Sequence, residues 1–255
     1  MMKKTLLAAA MLATSSVALA DISANVTLAS DYVFRGLSQT DNQIAIQGGF
    51  DYAHDSGFYV GTWASNVSEE FFNGGARNAS PTFAFGGFSD PQTEVDLYVG
   101  YSGEYNDFGY DIGYLRYEYP GFGIADTNEI YVSGSYMGFG LSVNYSDELA
   151  FLPSSESAWY VAASYDYELP YEVGLSLHVG HSFGDAFDVS PAKATAKYFG
   201  LTDSYTDWSI GISKSWMGAD FGLTYTDLNI DKADCDDSMT DVCDTKFVAS
   251  IGKSF

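Results

Sequence analysis

Apolar and polar residues alternate with period two through most of the chain, in segments separated by Gly, Pro, Asn and Asp. The pattern predicts twelve strands, near 22–36, 43–53, 58–67, 92–104, 108–119, 128–136, 139–149, 157–168, 172–183, 206–216, 220–230 and 245–255. Short connections (His54 to Gly57, Asn106-Asp107, Met137-Gly138, Leu169 to Tyr171, Met217 to Ala219) alternate with longer ones at 37–42, 68–91, 120–127, 150–156, 184–205 and 231–244. Short turns at one end and long loops at the other describe a membrane barrel, in which the short turns are periplasmic. The expected fold is all-β, a single transmembrane antiparallel up-and-down β-barrel of about twelve strands. An even count then puts both termini at the periplasmic end.

The alternation also assigns the faces. Val95, Leu97, Val99 and Tyr101 share one side of the fourth strand, and Glu94, Asp96 and Tyr98 share the other. Lipid cannot solvate a carboxylate, so the acidic side must be the lumen. The same reasoning turns Ile130, Val132 and Tyr136 outward, with Val173, Leu175, Leu177 and Val179, and leaves Glu172, Ser176 and His178 inside. In the fifth strand Tyr110, Ile112 and Tyr114 share a face with Arg116 and Glu118. A bulge near Gly113 is expected to restore the alternation there.

The two ends fix the compartment. Lys3 and Lys4, the apolar run from Leu6 to Leu12 and the small-x-small triplet Ala18-Leu19-Ala20 read as a signal peptide over 1–20, cleaved before Asp21. Residues 21–255 then form one barrel. The remainder has no stretch of roughly 18 apolar residues able to cross a membrane as a helix. At the other end Phe247 to Phe255 alternates and closes on an aromatic, Phe255, the signal expected to be read by outer-membrane assembly machinery. Twenty Tyr and eighteen Phe suit a barrel belted by aromatics at the lipid headgroups. Lys214 and Lys253, each in a Lys-Ser-aromatic ending, are expected at that interface.

A formal net charge of −23 removes nucleic acid from the partners, because phosphate binding needs basic surface. Expected partners are outer-membrane lipid and lipopolysaccharide, whose phosphates could share divalent cations with acidic loops, and small solutes. No cofactor is implied. Candidate lumen residues are Asp31 and Arg35, placed on one face of the first strand with Val26, Leu28 and Phe34 outward, together with Asp51, Glu94, Asp96, Glu129 and His178. An arginine facing carboxylates sets up a transverse field across a solute path. The same residues read equally well as an ion-pair network that plugs a narrow lumen.

Other constellations carry less. Cys235 and Cys243 fit an intraloop disulfide in an oxidising compartment. The aspartates around them lack the spacing of a calcium loop, so no metal site is assigned. His178 and His181 fall on opposite faces of a regular strand, His54 lies in a turn, and no nucleophile elbow is present. No catalytic residue is named, and an outer-membrane enzyme is a minor alternative. The Phe- and Gly-rich connection 68–91 fits an inward flap or a lid packed on the rim.

Ser30-Asp-Tyr-Val-Phe-Arg-Gly-Leu-Ser-Gln39 resembles the opening signature of a proteobacterial family of porin candidates, TorF, also called Gcw_chp. Gly61 to Asn66, Glu94 to Tyr101, Tyr110 to Tyr114, Tyr119 to Gly121, Glu129 to Tyr131 and the Gly-Lys-Ser-Phe255 ending continue the resemblance along the chain after the leader. It implies an outer-membrane barrel of porin type without an established substrate. The expected function is therefore a porin-like channel for passive diffusion of small solutes, preferring cations or neutral molecules. The alternative is a non-conducting structural or adhesive barrel that works through its surface loops. Deleting Phe255 should impair membrane insertion; full assembly of the truncated chain in an insertion assay would remove the assembly role.

Overall fold

The computed structural model describes residues 21–68, 92–147, 156–187, 204–230 and 242–255. The expected leader, most of the connections 68–91, 184–205 and 231–244, and with them Cys235, lie outside the described residues. In chain order the strands are β1 Asp21–Ala29, β2 Val33–Phe34, β3 Leu37–Ser38, β4 Ala45–Ala53, β5 Phe58–Asn66, β6 Thr93–Tyr105 and β7 Phe108–Glu118. They continue with β8 Thr127–Tyr136, β9 Phe139–Ser146, β10 Ala158–Leu169, β11 Val173–Phe183, β12 Ser204–Trp216, β13 Ala219–Leu228 and β14 Lys246–Ser254.

Twelve of these strands form one closed antiparallel barrel in which each pairs with its sequence neighbours, and β1 meets β14 to complete the ring. Closure follows from the solvent: an open edge in hydrocarbon would leave unpaired amides, each costing several kcal/mol, roughly. Tight turns support the register. Asn106-Asp107, Met137-Gly138 and Met217-Gly218 all have positive φ, the two-residue hairpin geometry whose twist matches that of the strands. The start of β1 and the end of β14 meet at one rim, where the Phe255 amide donates to the Ala24 carbonyl at 2.9 Å.

The exterior is apolar. Ile46, Leu97, Val99, Ile112, Val132, Leu141 and Ile210 all point outward and are exposed. Aromatic pairs belt both ends of this band: Phe58 with Tyr101 and Phe139 with Tyr165 toward the termini, Tyr145 with Trp159 and Trp208 with Tyr225 toward the long loops. Such a surface is stable only in a bilayer, with the rings at the two headgroup layers. Lys214 and Lys253 lie at the termini end, Lys253 over the Phe255 ring.

Two expectations need correction. The first strand does not run to position 36. β1 stops at Ala29, and the chain turns into the barrel, where β2 and β3 form a separate two-stranded hairpin. Its cause is local: Arg35 (φ 48) and Gly36 (φ 83) make a two-residue turn that pairs Phe34 with Leu37 and cannot continue a strand. Phe34 consequently faces inward, against Tyr117. The second correction concerns Gly113. The register from Val95↔Glu118 to Tyr105↔Phe108 is unbroken, so no bulge occurs. Leu115 and Tyr117 face inward because the hairpin makes the lumen apolar at that level, and Arg116 faces outward near the rim, bonded to Glu118 and Asp126.

Inward tyrosines lie flat on the barrel wall because glycine faces them on the next strand. Gly61 is the register partner of Tyr98, Gly100 of Tyr59 and Gly113 of Tyr131. A Cβ at any of the three would fall inside the phenol ring opposite. Valine at Gly61 or Gly100 should therefore lift the ring and destabilise the barrel by about 1–3 kcal/mol. A lowered denaturant midpoint of the folded band on unheated gels checks this; an unchanged midpoint would show that the ring has room to move.

Candidate functional site

The inward chain from Asp31 to Thr40 is built on Asp31. Its buried carboxylate accepts from the Ser38 hydroxyl at 2.6 Å and from the Thr40 hydroxyl at 2.8 Å, which folds the hairpin back on its own stem. Burial pushes the Asp31 carboxyl up from the usual range, while those two hydroxyls and the charge of Lys246 pull it down. The Ser30 amide donates to the Ala249 carbonyl, and the Ser38 amide to the Val242 carbonyl, so the stem is tied to the β13–β14 side.

From that stem the hairpin crosses the lumen. The Arg35 guanidinium reaches Glu129 on β8 at 2.5 Å, and its side chain is only 13 % exposed. Its plane lies over the Tyr160 ring of β10 at 4.3 Å and over its neighbour Phe34 at 4.7 Å. Glu129 is 3 % exposed and is held for this contact by the Asn144 amide (2.7 Å) and the Tyr117 hydroxyl (3.3 Å), which both reach its other oxygen. Below the guanidinium, the Tyr160 hydroxyl donates to Asp207 (3.2 Å) and shares a hydrogen bond with His178 Nε2 (2.8 Å), itself 3.2 Å from Asp207. A bulky residue at positive φ is disfavoured by roughly 1–2 kcal/mol. The charge-assisted bond and the two aromatic faces offset that strain.

The wall formed by β4 to β8 carries the remaining carboxylates, and phenols meet three of them, Asp51, Glu94 and Asp111. Glu94, 2 % exposed, accepts from Tyr32 of the hairpin stem at 2.7 Å and from Tyr119 at 2.5 Å. The Tyr98 hydroxyl donates to Asp51, and Tyr59 donates to Asp111 at 2.7 Å while touching the Tyr131 hydroxyl. Asp96, 4 % exposed, and Asp111 each keep one buried oxygen with no hydrogen-bond partner among the described residues. A buried polar oxygen left so is costly unless something from outside the chain satisfies it.

The residues named from sequence thus divide. Asp31 and Arg35 sit on the hairpin, not on β1, and Arg35 meets Glu129. Asp51, Glu94 and Asp96 share the acidic wall, whereas His178 lies across the lumen with Asp207. Sequence reasoning missed Asp111, Asp207 and the partner tyrosines, although Tyr98, Tyr131 and Tyr160 fall on the polar period of their strands. His181 faces outward and bonds Thr206, and His54 bonds Ser56 in its turn, so the three histidines do not converge. Among the described residues no group of three or more His, Cys, Asp or Glu is arranged to hold a metal ion.

Among solved structures, the chain resembles the KdgM porin (TM-score 0.52, 9 % identity, covering 91 % of this chain and 99 % of that one). It resembles the NanC porin similarly (TM-score 0.51, 9 % identity, 91 % and 98 % covered). At such identity the likeness is one of fold, that of a closed antiparallel membrane barrel. No curated protein matches the sequence. Residues 13–255 match the family model described as "Bacterial protein of unknown function (Gcw_chp)", and the chain belongs to that family.

Proposed function

We propose that the protein is a narrow outer-membrane channel for the passive diffusion of small solutes, constricted by the hairpin at Val33–Ser38. The observation that carries this reading is the hairpin itself: one short segment, rooted on one side of a polar barrel, spans the lumen and is held at its tip by the Arg35–Glu129 pair. A structural plug would need no such acidic wall behind it. The leader 1–20 is removed on export, both termini face the periplasm, and the long loops face outward, where lipopolysaccharide surrounds them. Phe255 serves assembly. Asp31, Asp51, Glu94, Asp96 and Glu129 give the path a negative field, which favours cations and neutral solutes over anions. Arg35 and His178 are the basic groups that solute passes.

The second reading, a barrel that never conducts, draws on the burial of the same ion pair. Planar-bilayer recording of the purified protein under a potassium chloride gradient separates the two. Discrete steps with a cation-selective reversal potential are expected; a verified folded barrel that stays silent, also after the hairpin tip is shortened, would establish the non-conducting role. Arg35→Ala should enlarge the conductance step several-fold. It should also cost about 3–5 kcal/mol by leaving Glu129 buried and unpaired. Adding Glu129→Gln should return a large part of that stability, as a double-mutant cycle in urea would read; two additive losses would show that the pair is not coupled.

A further inference from the structure

The place that Arg35 occupies is a complete receptor for a guanidinium, and only one of its walls belongs to the hairpin. Glu129, Asn144, Tyr117, Tyr160 and Asp207 are all fixed on barrel strands, and they are fixed by one another: the amide and phenol orient Glu129, while Asp207 and His178 hold the Tyr160 hydroxyl. Removing the hairpin would uncover the Glu129 carboxylate beside the open face of the Tyr160 ring. A planar cation that stacks on a ring while bonding a carboxylate at its edge fits that pair of features. A compact ammonium satisfies the carboxylate but leaves the ring face unused.

The occupant is presented by a short hairpin. β2 and β3 contribute two residues each and pair only with each other. The turn that presents the side chain places a non-glycine residue in the left-handed region. Apolar packing of Phe34 on Tyr117 and of Leu37 in the small core seats the tip, while the side chain of Arg35 carries its charged contact with the opposite wall, so a solute that offers the same group competes for that contact. Behind this position the buried oxygens of Asp96 and Asp111 that lack partners among the described residues supply further acceptors on the wall of β6 and β7. We infer that Arg35 is a built-in stand-in for the solute, and that the barrel admits small molecules bearing a guanidinium, which displace the hairpin tip from Glu129 and Tyr160. This inference rests on the channel reading for passage, but the binding site stands on its own geometry.

Two arms keep these separate. In the first, Arg35→Ala is titrated with methylguanidinium chloride at low millimolar concentration and thermal unfolding is followed. The vacated receptor should bind the probe and raise the unfolding midpoint by several degrees, with saturation. Methylammonium should raise it less, and Arg35→Ala combined with Glu129→Gln should not respond. A midpoint that moves equally for both probes, or equally in the double variant, would overturn the receptor. In the second arm, the unsubstituted protein is recorded in a bilayer with L-arginine chloride replacing potassium chloride on one side. Arginine current, abolished by Glu129→Gln, is expected. Potassium current without arginine current would overturn the solute class. Silence in both salts together with a positive first arm would overturn passage and leave the receptor as a binding site.

Discussion

Every backbone amide in the bilayer must find its partner within the chain, and the rest of the molecule follows from that constraint. It forces the twelve strands into a ring, and the ring divides each strand into a face that meets lipid and a face that meets the interior. Between the two aromatic belts the outer face can be filled by almost any apolar residue, as Val, Leu and Ile share it. The inner face has to be solved position by position, since a barrel of this width is too large to fill with its own side chains and too small to ignore them.

Two devices solve it. Glycines set opposite tyrosines let the rings lie along the wall, so that the phenols extend sideways across the glycine's strand to carboxylates on the strand beyond. Acidic residues are therefore kept in the interior by hydroxyl donors, with few basic ones among them. The other device is the hairpin, which brings apolar residues into the centre and covers the upper half of the acidic wall. Leu37 joins Leu115, Tyr117 and Leu228 in a small apolar core where an open barrel would have water. Interior charge and interior core thus coexist at different depths of one cylinder.

The barrel was legible because lipid imposes a strict contrast. Val95 and Glu94 differ so sharply in their cost in hydrocarbon that one pair of neighbours fixes the orientation of β6. Legibility failed where that contrast fades. Near Leu115 the interior is apolar too, so the alternation around Gly113 lost its meaning and suggested a bulge that does not exist. Val33-Phe34 reads as the continuation of β1 by composition alone. The Arg35-Gly36 pair was a sign to the contrary, since it matches Met137-Gly138 and Met217-Gly218, which turn in the same way. The lumen carboxylates could be named from their faces, but not who meets whom. Arg35 and Glu129 are separated by most of four barrel strands, and nothing local in either segment announces the other.

The seam that closes the ring is unlike the other eleven. It joins the first strand to the last: β1 pairs with β4 along its whole length, Asp21 to Ala29, and with β14 from Asn25 to Ala29, with backbone bonds at Ala24 and Ser30 continuing that second ladder. Ser30, the root of the hairpin, is fastened there: its amide and hydroxyl both engage Ala249 of β14. A slip of β1 against β14 carries that root with it, so breathing of the wall and movement of the plug amount to a single mechanical event.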